Sequence, residues 1–124
     1  MVHYRFATEE QRALAEDCRK ILEKELAPRV SELEKAQGVD SFPRDVVKTL
    51  GKAGFCGMAI PERWGGLGFD LKTQTLILEE MAQIDAGFSF SFGLGCSSAG
   101  VETTAMPKEE KQMWFDRCLS GDAI

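Results

Sequence analysis

The sequence predicts a single, predominantly helical domain. Apolar residues recur at three- and four-residue spacing in several segments, opened by a capping residue or proline and in two cases closed by glycine. A length of 124 residues suits one domain able to bury a real core, and 44% hydrophobic residues is ordinary for a globular chain. No internal repeat, low-complexity tract or linker interrupts it.

The first helix opens at Thr8-Glu9-Glu10-Gln11, a hydroxyl followed three residues later by glutamine, which is the form of a capping box. Leu14, Cys18, Ile21, Leu22 and Leu26 form its apolar stripe. Pro28 is expected to kink or end it, with Val30 and Leu33 carrying another turn before a loop at Gln37-Gly38-Val39-Asp40. A second helix starts near Phe42-Pro43, with Ser41 as its cap, Val46, Val47, Leu50 and Ala53 as its buried face, and Gly54 as its end. Phe55 to Ile60 is too short to classify by period, and Pro61 with Gly65-Gly66-Leu67-Gly68 breaks regular structure. Asp70 caps a third helix, with Leu71, Leu78, Met81 and Ala82 expected inside and Glu79-Glu80 outside. Phe88, Phe90, Phe92, Leu94 and Cys96 then alternate with serine and glycine, a two-residue period that by itself reads as a strand. A last helix runs from Pro107 through Met113-Trp114-Phe115 and Cys118-Leu119 to Gly121.

Charge and residue usage exclude several functions. The net charge of −5 disfavours nucleic acid and anionic membrane surfaces. No stretch approaches the roughly 20 apolar residues of a membrane span. The opening residues lack the apolar core of a secretory signal, so no leader is expected. The four cysteines (Cys18, Cys56, Cys96 and Cys118) form no C-x-x-C pair, and His3 is the only histidine. Neither a zinc site nor a Cys–His nucleophile is therefore expected. Reduced, buried thiols in a cytoplasmic setting fit best. The glycine loop has neither phosphate-loop spacing and reads as a structural turn, with Trp64 as a packing anchor. Glu79-Glu80 reads as a solvated or salt-bridged pair, since adjacent helix positions point about 100° apart.

Taken in order, these segments resemble the acyl-CoA dehydrogenase family. Lys24-Glu25-Leu26-Ala27-Pro28 resembles its first helix, and Phe42-Pro43 with Leu50-Gly51 and Ala53-Gly54-Phe55 its second. Ile60-Pro61-Glu62-Arg63-Trp64-Gly65-Gly66-Leu67-Gly68 is similar to the family's P-E-x-x-G-G-x-G loop, and Glu79-Glu80-Met81-Ala82 to the signature of the next helix. Lys108-Glu109-Glu110-Lys111-Gln112 and Ser120-Gly121-Asp122 resemble the run that closes the region. The resemblance implies an all-α fold, an up-and-down bundle of about five to six helices over residues 1–124. It also replaces the strand expectation with a helix across Gly87 to Gly100.

Members of the family are flavoproteins, commonly tetramers, with this helical domain followed by a β domain and a C-terminal four-helix bundle. A glutamate takes the substrate Cα proton while hydride passes from Cβ to N5 of FAD. The resemblance places the FAD-binding segment and the catalytic glutamate beyond Ile124. No catalytic, cofactor-binding or metal-binding residue is then expected within the chain, which alone should not turn over substrate. It implies an acyl-CoA substrate, electron-transfer flavoprotein or a similar acceptor, and a homo-oligomer.

The acyl-pocket positions that the resemblance transfers are Ser89, Phe90, Gly93, Leu94 and Ser97. Glutaryl-CoA-specific members carry arginine at the position of Ser89, so a dicarboxylic substrate is disfavoured here. Gly93 is expected to leave the pocket deep, and Phe90 and Phe92 to wall a hydrophobic, ring-bearing or branched acyl group. The competing assignment for Phe88, Phe90 and Phe92 is plain core. Two alternatives accompany this reading: a stand-alone helical bundle that binds partners or apolar ligands, and one subunit of a split dehydrogenase.

Overall fold

Helix α1 (Glu9–Glu25) begins with the expected reciprocal cap: the Gln11 N–H donates to Thr8 Oγ1 at 3.1 Å, and the Thr8 N–H donates to Gln11 Oε1 at 3.0 Å. The computed structural model describes residues 5–36, 38, 41–96 and 104–123. Pro28 ends α1 through a tight turn over Ala27–Arg29, and α2 (Val30–Lys35) carries the chain a little further. Of the loop expected next, Gln37, Val39 and Asp40 lie outside the described residues. Helices α3 (Arg44–Lys52), α4 (Leu71–Ile84), α5 (Ala86–Cys96) and α6 (Lys108–Ser120) complete an all-helical architecture, with no strand among the described residues.

Helix α1 packs along α4, α4 along α5, and α6 against α3 and the turn at Phe55–Gly57. The main core gathers Cys18, Leu22 and Leu26 from α1, Val46, Val47 and Leu50 from α3, Ile77 and Met81 from α4, and Phe88 and Phe92 from α5. Each fully buried aliphatic or phenylalanine side chain is worth about 1.5–3 kcal/mol relative to exposure. A satellite core of Ile60, Phe115 and Cys118 lies under α6, where the rings of Trp64 and Phe115 are 5.2 Å apart. Trp64 is thus a packing anchor. Cys18, Cys56 and Cys118 are buried thiols outside any disulfide.

Several sequence expectations need correction. Ser41 does not cap α3: its hydroxyl donates to the Gly38 carbonyl at 2.6 Å, and Pro43 occupies the cap position without a side-chain bond. Ala53 falls past the end of α3 and is exposed. In α4 the buried stripe is Thr73, Leu76, Ile77, Glu80 and Met81. Leu71 and Ala82 are therefore exposed, and Leu78 is half-buried, because all three lie about 130–170° around the helix from the centre of that stripe.

Glu80 also departs from expectation, being 1% exposed. It is held from α1: Arg19 Nη1 donates to Glu80 Oε2 at 2.8 Å, while Arg19 Nε binds Glu23 at 2.7 Å. A carboxylate at this depth is tolerable only with its charge partner, so the ion pair fixes α1 on α4. Burial, together with the Glu80 carboxylate, pushes the neighbouring Cys18 thiol up to about 12.

Helix α5 is where period and structure part. Phe88 and Phe92 are buried on one face with centroids 5.9 Å apart, and Phe42 stacks on Phe88 at 5.8 Å. Phe90 and Leu94 lie about 200° around the helix from that pair and are exposed. An alternating sequence is equally a helix with an i,i+4 pair on each of two opposite faces. Asp85 alone separates α4 from α5 and caps the latter, accepting from the Phe88 N–H at 2.9 Å. The residues expected to extend α5 to Gly100 lie outside the described ones.

The glycine loop is held by its own backbone. The N–H groups of Gly65, Gly66, Leu67, Gly68 and Phe69 donate to carbonyls of Glu62, Pro61, Gly57, Ile60 and Met58 at 2.8–3.2 Å. Gly66 lies so close to Ile60 that a Cβ there would sit 2.0 Å from the Ile60 carbonyl oxygen.

Gly66→Ala should therefore destabilise the domain by about 1–3 kcal/mol or more, read as a lowered urea midpoint. For the ion pair, Arg19→Leu should lower Tm further than Arg19→Leu combined with Glu80→Met, since only the single variant strands a buried carboxylate. The Cys18 thiol has a folded pKa raised above its ordinary 9.0, so stability is full below pH 9 and falls as pH rises toward 12. The limiting slope is about 1.4 kcal/mol per pH unit, and urea melts of Cys18→Ala should show a shallower alkaline decline.

Candidate functional site

Because α4 carries one stripe into the core and another well around the helix from it, the second stripe and the outer face of α5 enclose an open groove of about 410 Å³. Helix α4 contributes Leu71, Gln74, Thr75 and Leu78, helix α5 contributes Ala86, Ser89, Phe90, Gly93 and Leu94, and Met58 closes one side. Leu71, Phe90 and Leu94 are 76%, 70% and 62% exposed, an apolar concentration seldom left facing water on a soluble surface.

Among the described residues no charged side chain lines this groove, and its polar groups serve the backbone. Ser89 Oγ donates to the Leu78 carbonyl at 2.7 Å, Thr75 Oγ1 to the Leu71 carbonyl at 2.8 Å, and Gln74 Nε2 to the Phe69 carbonyl at 2.8 Å. What remains for a ligand is apolar contact. Gly93 packs on α4: a Cβ there would lie 3.4 Å from both Leu78 Cδ1 and Cδ2. The space beside that glycine is thus bounded by Leu78 at van der Waals distance, while Gly93 itself lines the groove.

Of the residues transferred by resemblance, Ser89, Phe90, Gly93 and Leu94 come together along the groove, and Ser97 lies outside the described residues. Phe92, expected as an aromatic wall, is fully buried in the core and does not reach it. Sequence reasoning missed the α4 wall, having assigned Leu71 and Leu78 to the core. The available signal was that Leu71, Thr75 and Leu78 repeat at i, i+4 and i+7 apart from the buried stripe.

Neither the glycine loop nor the groove is built for a dinucleotide: the loop's N–H groups donate to carbonyls of residues 57–62, and among the described residues no cation lines the groove. Among the described residues there is no cluster of three potential metal ligands, and no helix is long and apolar enough to cross a membrane.

The family model described as acyl-CoA dehydrogenase, N-terminal domain, matches residues 8–122. The chain is 30% identical over 123 residues to the mitochondrial short-chain specific acyl-CoA dehydrogenase of Sus scrofa, covering 90% of this chain and 26% of that protein. Among solved structures, the acyl-CoA dehydrogenase from Geobacillus kaustophilus superposes with a TM-score of 0.81 at 28% identity, covering 95% of this chain and 30% of that one. A structure described as an electron transferring flavoprotein of Acidaminococcus fermentans gives 0.80 at 28% identity, over 98% and 31% of the two chains. The chain thus spans between a quarter and a third of the length of these relatives. It belongs to the acyl-CoA dehydrogenase family, as an N-terminal domain.

Proposed function

We propose that residues 1–124 act within an FAD-dependent acyl-CoA dehydrogenase, which introduces a Cα–Cβ double bond into an acyl-CoA thioester. Their α4–α5 groove forms one wall of the pocket for the acyl tail. The observation that carries this reading is the groove's lining: apolar side chains on two helices, with the side chains of Gln74, Thr75 and Ser89 hydrogen-bonded back to backbone carbonyls. Such a surface gains by burying hydrocarbon and offers no recompense for burying charge.

Ser89, Phe90, Gly93, Leu94 and Ser97 are the proposed substrate contacts on this chain. That no cation lines the groove among the described residues favours an acyl tail without a terminal carboxylate. Phe90 supplies an aromatic face for a hydrophobic, ring-bearing or branched tail. FAD, the β domain and the carboxylate base belong on this reading to the rest of the protein, and the 124 residues by themselves are inactive. Electron-transfer flavoprotein or a similar carrier is the proposed acceptor, a homo-oligomer the proposed assembly and the cytoplasm the proposed compartment. The exposed Leu71, Phe90 and Leu94 give the domain reason to pack against further protein.

The test is an assay of the complete protein encoded by the reading frame that contains these residues, with a panel of acyl-CoA thioesters and a dye acceptor. Flavin-dependent oxidation of monocarboxylic acyl-CoAs, with little activity on glutaryl-CoA, is expected. A complete protein that holds no flavin and oxidises no thioester would instead be an apolar-ligand or partner-binding bundle. In the same assay Gly93→Leu should shift preference toward shorter chains, and an unchanged profile would remove Gly93 from the pocket.

A further inference from the structure

Gly93 invites the view that a missing side chain makes the groove deep, but the contact across it says otherwise. Both terminal methyl groups of Leu78 lie 3.4 Å from where a Gly93 Cβ would be, so the α4 leucine covers the glycine. Leu78 is half-buried against the main core and still reaches the groove lining. Its backbone is fixed too, since its carbonyl accepts the Ser89 hydroxyl at 2.7 Å. Phe90 and Leu94, by contrast, stand exposed at the rim of the groove.

We propose that Leu78 is the specificity-determining residue of the groove: its isobutyl group sets the depth available to an acyl tail, and Ser89 is the positioning residue that fixes its register. This rests on the acyl-groove reading above. A Cβ at position 93 would already meet Leu78 at van der Waals distance, so any larger side chain there and the bulk at position 78 compete for one space. A hydrophobic pocket discriminates about tenfold or more per methylene group that it admits or excludes.

The experiment compares kcat/KM across saturated acyl-CoAs of increasing length in the complete protein. Leu78→Ala should move the optimum up by about two carbons. The double variant Leu78→Ala/Gly93→Leu should bring it back to within about one carbon of the parent, because the bulk is handed across the same contact. Leu78→Val gives a smaller shift in the same direction and carries the test if the alanine variant does not fold. Phe90→Ala, at the rim, should weaken kcat/KM for all lengths. If Phe90→Ala has that effect but neither Leu78 variant moves the optimum, the depth assignment is wrong and the acyl groove stands. If none of these variants alters the profile, the groove is not the acyl site and both readings fall.

Discussion

Helix α5 can lie against α4 only because the residues between them are small or engaged across the contact. Ser89 closes its hydroxyl onto the Leu78 carbonyl, and a Cβ on Gly93 would already be at van der Waals distance from the Leu78 methyl groups. From this approach follow the burial of Phe88 and Phe92 on one side of α5 and the exposure of Phe90 and Leu94 on the other. The core and the groove are therefore two faces of one helix, and neither can be changed without the other. Serine and glycine are poor helix formers, so α5 owes its helical state to tertiary packing more than to its own propensity. Asp85 assists by capping the helix immediately after α4 ends.

The second constraint is electrostatic. Glu80 belongs to the buried stripe of α4, and its charge is met by an arginine reaching in from α1. Arg19 also donates to Glu23 on its own helix and to Gln83 on α4, so a single guanidinium ties together three side chains on two elements. Arrangements of this kind fix how two helices align, because the carboxylate is tolerated only where the arginine can reach it. The same carboxylate, added to burial, keeps the Cys18 thiol protonated and unreactive.

The loop between α3 and α4 serves the site indirectly. Its backbone donors fold back onto the Gly57–Glu62 segment, which delivers Asp70 to cap α4 through a bond from the Thr73 N–H at 2.8 Å. Where α4 begins decides which of its stripes faces the core and which the groove, since one residue of rotation is about 100°. Met58, held in the same loop network by accepting from the Phe69 N–H, closes one side of the groove. A run with the look of a phosphate cradle is in this protein a device for registering a helix.

Local chemistry was legible from the residues alone. The Thr8–Gln11 capping box, the break at Pro28, the cap at Asp70 and the stop at Gly121 all depend on atoms within a few positions of one another, and the structure reproduces each. The helical state of residues 86–96 was not legible from their period. Two-residue alternation describes both a one-faced strand and a two-faced helix, and the residue pattern alone favoured the strand. Resemblance to a family resolved that choice, and the packing of α5 on α4 supplies its reason. Likewise the sequence by itself determined that Glu80, Leu71 and Leu78 are helical, but not which way they point. That depends on the rotation of α4 against α1 and α5, set by a salt bridge and a helix contact between residues many positions apart. Only when the chain is folded do those partners meet, so only the tertiary structure could turn one stripe of α4 inward and leave another to line a groove.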